Sequence, residues 1–251
     1  MRILITLEYD GTNLIGFQKN EQGDSVQSLV ERAVFEFCGE KSDVVGCGRT
    51  DAGVHAEKMP AHFDMAKEEG EDTIRAALNF YLRETPVSVL EARRVPDDFH
   101  ARFSAAQRHY HYDILNRRSP SKLMAGRVWW VPRELDMARM VSESKKLLGR
   151  HDFNSFRSTE CQAKSPIKTL DEIRIEKNGD IISFYFSARS FLHHQVRNMV
   201  GTLVDIGLGK PLEINSILDA KNRAAAGQTA PASGLYFISA DYAKGGWPAR
   251  I

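Results

Sequence analysis

Short stretches with strand pattern alternate with amphipathic helical stretches, and they do so twice along the 251 residues of the chain. In the first half Arg2–Tyr9 reads as a strand with Ile3, Ile5 and Leu7 on one side, and Asp10-Gly11-Thr12-Asn13 as a turn. Ser25 then caps a helix in which Val26, Leu29, Val30, Ala33, Val34 and Phe37 recur at helical spacing. Asp43 to Gly48 returns as a strand, Ala61 to Asp64 forms a short one, Asp72 to Leu82 a helix, and Val87 to Arg94 a strand. That order is a split βαβ, or ferredoxin-like, half.

The second half repeats the plan. Gln107 to Asn116 and Val128 to Val131 read as strands and Met137 to Leu148 as a helix. Thr169–Glu176 and Ile181–Ala188 flank Asn178-Gly179, a strong hairpin signal. A long helix is expected from about Ser190 to Gly207, with Leu192, Val196, Met199, Val200, Leu203 and Val204 as its apolar stripe and Arg197 on the flank. Ile214 to Lys221 adds a short helix, and Gly234 to Ala240 a last strand. The expected architecture is therefore α/β (α+β): two ferredoxin-like halves, residues 1–104 and 105–251, sharing a continuous, mainly antiparallel sheet. A cleft where the halves meet is the expected place for a site.

Hydrophobic content of 42% and charged content of 27% fit a globular protein, and no apolar run reaches the length of a membrane span. The N-terminus enters a strand without signal-peptide pattern, and Cys38, Cys47 and Cys161 share no CxxC spacing. A cytoplasmic location without structural zinc is the expectation. Net charge is only +1, but it is unevenly spread: residues 1–92 carry −8, residues 93–133 carry +6, and residues 134–251 carry +3. A basic segment on a nearly neutral chain suits a phosphate-facing wall.

Chemistry concentrates in Gly46-Cys47-Gly48-Arg49-Thr50-Asp51-Ala52-Gly53-Val54-His55-Ala56. Val44-Val45 leads in as a strand would, and three glycines and an alanine strip bulk from around one carboxylate. Glycine allows a sharp turn and close approach of a ligand. Arg49 lies two residues before Asp51, so in extended backbone both point to one face, and a guanidinium there keeps the carboxylate ionised. A nucleophilic aspartate would be presented in this way. A plain turn with a surface aspartate is the bland alternative.

Gly48-Arg49-Thr50-Asp51-Ala52-Gly53-Val54-His55-Ala56 resembles the signature of the tRNA pseudouridine synthase A family. Further words follow in family order: Tyr9-Asp10-Gly11-Thr12, Phe99-His100-Ala101-Arg102-Phe103-Ser104-Ala105, Arg108-His109-Tyr110-His111-Tyr112 and Phe153-Asn154-Ser155-Phe156-Arg157. Phe191 to Gly201 and Gly234-Leu235-Tyr236 complete the set. One departure is Phe17 in Gly16-Phe17-Gln18, where the family usually carries tryptophan.

The resemblance implies an isomerase that converts uridine to pseudouridine at positions 38, 39 and 40 of the tRNA anticodon stem-loop, without cofactor or metal. It implies Asp51 as the nucleophile and Arg197 as the basic residue that pairs with it. Tyr110 is the implied aromatic that stacks on the target base once that base is flipped out of its stem. Tyr112 in the same strand reads better as core. Arg49 is expected to occupy the space that the flipped base leaves or to hold its backbone, with a purely structural ion pair as the equal alternative. Arg102, Arg108, Arg117, Arg118 and Arg127 are expected along the phosphate path. Whether the carboxylate attacks C1′ of the sugar or C6 of the base stays open. The resemblance also implies a homodimer, with tRNA the partner and no membrane involved.

Four other readings compete with it. His55-Ala56-Glu57 matches half of a zinc deaminase motif, but the chain has no PCxxC partner for it. His193 and His194, placed about 100° apart on a helix, would be poor joint ligands. Gly46-Cys47-Gly48 opens like a dinucleotide fingerprint, yet Asp51 stands where the third glycine belongs and would repel a pyrophosphate. A non-catalytic RNA-binding module on the same scaffold is the strongest rival.

Overall fold

The structure is a computed structural model and describes residues 1–242. Its strands and helices run, in order, β1 (Arg2–Tyr9), α1 (Val26–Cys38), β2 (Val45–Gly46), β3 (His55–Asp64), α2 (Glu71–Leu82), β4 (Val87–Val95), β5 (Ala105–Leu115) and β6 (Trp129–Trp130). There follow α3 (Met137–Ser144), β7 (Gly149–Asp152), β8 (Ile167–Leu170), β9 (Glu172–Asn178), β10 (Ile181–Ala188), α4 (Gln195–Gly207), α5 (Ile214–Ala220) and β11 (Leu235–Tyr242). The fold is mixed α/β with mainly antiparallel strand pairs, as the alternation leads one to expect. Two compact units divide the described residues: Met1–Arg108 with residues 236–242, and His109–Leu235.

In the first unit the strand order is β4-β1-β3-β11, with β2 added to β3. β1 runs antiparallel to both neighbours, pairing Ile3 with Phe63 on one side and with Arg94 on the other. β11 joins β3 in parallel through Tyr236↔His55 and Phe237↔Ala56. Helix α1 starts where a capping box forms: the Ser25 hydroxyl accepts from the Ser28 amide, and Ser28 closes the reciprocal bond. It buries Val26, Leu29, Val30, Ala33 and Val34, while α2 buries Ile74, Leu78 and Leu82. The two helices pack on each other and α2 on β4.

Two expectations for this unit need correction. β1 does not alternate, because every residue from Ile3 to Leu7 is buried, so that both faces of this central strand are covered. β3 runs from His55, six residues ahead of the expected start at Ala61. Pro60 sits within it, and although proline has no amide to donate, its carbonyl accepts from Cys47 N at 2.7 Å. That bond ends the short β2 and turns the chain out toward Gly48.

In the second unit β5, β10 and β9 are neighbours, β6 lies parallel along β5, and β7 pairs with β8. The expected hairpin is present, with Asn178 opposite Ile181 around a two-residue turn. Helix α3 is shorter than its pattern and ends in a tight 3-10 turn over Lys145–Leu147. Helix α4 departs most from expectation. It begins at Gln195, because His194 takes the left-handed conformation (φ 63°) and the Gln195 side chain accepts the Leu192 amide at 2.8 Å. It is also buried all round, with Arg197 the only α4 residue outside the buried set.

Candidate active site

Asp51 sits on a loop that main-chain hydrogen bonds tie to a neighbouring segment. Segment Leu14–Phe17 crosses beside it: Phe17 N donates to Thr50 O at 3.0 Å, and Gly53 N to Leu14 O at 3.4 Å. The same segment is pinned from the other side by α1, since Val26 N donates to Gly16 O and Gln27 N to Phe17 O. Val54 N closes the loop onto Asp51 O at 3.2 Å. A Cβ on Gly16 would stand 2.7 Å from Thr50 O, and its φ of +106° is one that L residues rarely adopt. A Cβ on Gly11 would stand 2.1 Å from Val54 O. Both glycines are therefore required by the approach of the crossing segment to the loop, with Asp51 left half-buried at its tip.

Side chains add further ties. Tyr9 and Thr50 share a buried hydroxyl–hydroxyl bond of 2.8 Å. Gly11 N donates to His55 Nδ1 at 3.2 Å, and the His55 ring stacks on Tyr236 at 4.8 Å between centroids. Gln27 and Glu31 of α1 hold the lead-in strand, bonding Val44 O and Val44 N at 3.0 Å each.

Beneath the loop, Arg108 is buried, and its guanidinium donates to Cys47 O at 3.0 and 3.3 Å and to Arg102 O at 2.6 Å. Burial pushes the Cys47 thiol up, so it stays protonated at neutral pH. His62 of β3 accepts the Ala101 amide at 3.2 Å, and burial lowers its pKa to about 4. A neutral imidazole is what that acceptor role requires.

In the second unit, α4 carries polar side chains into the interior, and each has a partner. Asn198 Nδ2 donates to Phe156 O, while its Oδ1 accepts from Arg223 and Thr229. Asp205 accepts from Gln228 and pairs with Lys210. These bonds bind the segment 223–231 along α4. Arg197 lies at the end of that strap, half-buried, with Nε donating to Ala230 O at 2.8 Å and Ala230 N returning a bond to Arg197 O. Tyr110 is half-buried on β5 and meets Phe191 edge-on at 5.1 Å. Tyr112, two residues on, is fully buried, donates to Pro231 O at 2.8 Å and fills the space over Gly234.

A family model described as tRNA pseudouridine synthase matches residues 5–104 and 144–243. A Bradyrhizobium sp. protein named tRNA pseudouridine synthase A is 52% identical over 243 residues, covering 96% of this chain and 99% of that one. Its namesake in Rhodospirillum centenum is 51% identical over 240 residues, covering 95% and 98%. That of Rhodospirillum rubrum is 50% identical over 240 residues, covering 95% and 86%. The chain belongs to the tRNA pseudouridine synthase A family.

Against that family pattern, Phe17 is buried with its ring over Gly46, where a Cβ would stand 2.4 Å from it. The aromatic at this position packs beneath the loop. Arg49 and Arg102 are exposed, as are Arg117, Arg118 and Arg127. Arg117 donates to Ser119 O and pairs with Asp180 at 3.3 Å. Arg108 is placed as a strut among carbonyls rather than at the surface. The argument that a helix separates His193 from His194 falls, since both precede α4 and their rings lie 4.1 Å apart.

Sequence reasoning missed the members of this synthase that hold the loop from behind. Tyr9 and Gly16 stand inside words that carry the family resemblance, but spacing does not show that they hold the loop, and Gln27 reads only as a polar residue of the first helix. Arg223 and Asn198, which build the strap, lie in stretches whose composition reads as loop and stripe.

Proposed function

We propose that the chain isomerises uridine to pseudouridine in the anticodon stem-loop of tRNA, at positions 38, 39 and 40, with Asp51 as the nucleophile. Membership of the tRNA pseudouridine synthase A family carries the isomerisation of tRNA uridine. The finer assignment is supported by the loop that puts one half-buried carboxylate at the tip of a glycine-clamped turn. The glycosidic N1–C1′ bond breaks, the uracil turns while held in the site, and C5 bonds to C1′ as C5 loses its proton. A carboxylate serves this sequence either by capturing C1′ as the base departs or by adding to C6 so that the base can be carried round. Either route needs the uridine flipped from its stem, for which Tyr110 supplies a π face. Arg197 keeps the charge role that the resemblance assigns it.

We extend the proposal to a cytoplasmic homodimer, since reading a stem by shape calls for a broad surface. Equilibrium sedimentation at micromolar concentration is expected to give the dimer mass; monomer alone overturns that part.

The reaction is tested with tRNA transcript tritiated at uracil C5. Wild-type protein should release tritium, and Asp51→Asn should abolish release while binding tRNA within a few-fold of wild type. Release that persists in Asp51→Asn removes the carboxylate from its role. Binding without release by the wild type would favour a non-catalytic RNA-binding module.

A further inference from the structure

The turn that joins β4 to β5 is built with a buried side and an exposed side. Phe99, Ala101 and Ala105 are buried, and Phe99 packs on Tyr242 at 5.2 Å between ring centroids. Arg102, Phe103 and Ser104 face outward, and Phe103 is 74% exposed. An exposed phenylalanine is ordinary when it is loosely held. This one is fixed at several points. His100 Nδ1 accepts both the Arg102 and Phe103 amides, at 3.1 and 3.3 Å, and the His100 ring lies 4.3 Å from the Phe103 ring. His100 N donates to Ser104 Oγ and Ser104 N to His100 O, which close the turn.

Arg108 ties this turn to the catalytic loop. Its guanidinium bonds Arg102 O and Cys47 O together, and Cys47 lies four residues ahead of Asp51. The Arg102 guanidinium stands 5.8 Å from the Phe103 ring, within the most basic stretch of the chain, residues 93–133 at +6. Phe80 is less exposed, at 59%, and its arginine, Arg83, lies closer over its face at 4.4 Å.

We propose that Phe103 is a stacking platform for an unpaired base of the tRNA substrate, with Arg102 beside it on the adjoining phosphate. This rests on the reading that tRNA is the substrate and adds a positioning residue to it. A flat ring beside a cation fits a nucleotide, whose π face and phosphate it meets together. Stacking of this kind tolerates any base, so it serves grip and register more than sequence choice. Because the turn is already ordered, little is lost in fixing it on binding. Because it shares a strut with the strand that leads to Asp51, a base seated there sets the register of the RNA against the nucleophile.

The test uses the full-length protein and tritiated tRNA transcript. Phe103→Ala should raise KM at least fivefold, with kcat within twofold of wild type and an unchanged thermal midpoint. Phe103→Leu, apolar but without a π face, should be as poor as alanine. Phe103→Trp should restore KM, and its additional indole emission should be quenched as tRNA binds. A KM within twofold of wild type for Phe103→Ala overturns the proposal, and so does full rescue by leucine, which would mean simple apolar contact. Sedimentation in which Phe103→Ala dissociates a dimer also overturns it, making the ring an interface between copies. Absence of release by the wild type would instead strike the parent reading, so the two failures are distinguishable.

Discussion

The loop around Asp51 and the strap along α4 are both irregular segments held rigid, but by different means. The loop is fixed by carbonyl and amide contacts with a crossing segment, which works because Gly11 and Gly16 admit another backbone at touching distance. The strap relies more on side chains: Asp205 accepts the Gln228 amide, Arg223 donates to Gly227 O, and Asn198 Oδ1 accepts from the Arg223 and Thr229 side chains, although it too needs a bare approach at Gly201, where a Cβ would stand 1.9 Å from Gln228 O. The lesson concerns tolerance. A segment held through its main chain depends on the absence of side chains nearby, whereas one held by side chains loses a definable bond per substitution. The loop therefore has little room for added bulk at Gly11 and Gly16, while the strap depends on its particular neighbours.

Four experiments would break or sharpen that contrast. The largest effect is expected for Gly16→Ala, which meets Thr50 O and an unfavourable φ together. It should cost about 2 kcal/mol or more in stability by urea titration and at least a hundredfold in tritium release. If activity survives, the main-chain account of the loop is wrong.

Next comes acid stability. The ordinary histidine value is about 6.5 and the folded value for His62 about 4, so in that window the unfolded chain holds a proton that the folded chain does not. His62 therefore contributes stability that is complete above pH 6.5 and is lost as pH falls toward 4. The loss approaches about 3 kcal/mol at most. His62→Gln should flatten that part of the pH–stability curve, and an unchanged slope would refute the assignment.

Asn198→Ala should cost about 2 kcal/mol, since it strands Phe156 O and removes the acceptor of Arg223 and Thr229. Hydrogen exchange in the segment 223–231 should rise while the Asp51 loop is unchanged; a rise in both would erase the distinction between the two modes. The smallest effect is expected for Tyr9→Phe, which removes one bond to Thr50 and should cost about 1 kcal/mol in thermal unfolding. A loss several times larger would mean that side chains carry the loop after all.

Much of this fold is legible in residue spacing, and the exceptions have physical causes. Ser25 and the Val26–Val34 stripe announce α1 because capping and amphipathic burial are local effects. The early start of β3 is hidden by Pro60, which discourages a strand reading although only its missing amide matters. The late start of α4 is hidden because left-handed backbone at His194 has no signature in a non-glycine residue. At the site, the Asp51 loop stands out as a word. The role of Arg108 does not, since charge counting cannot tell a guanidinium facing carbonyls from one facing solvent. Alternation puts Tyr110 and Tyr112 on one face, and only the packing of Gly234 against Tyr112 separates the buried ring from the half-open one.

The clamp at Gly11 and Gly16 has a practical corollary. Since main-chain bonds and bare glycines hold the frame around residue 51, an inert Asp51→Asn version, which keeps the shape of that side chain, should remain a sound mould for its RNA. Such a version would make a bait, able to hold and deliver for sequencing the cellular transcripts that the working protein touches only in passing.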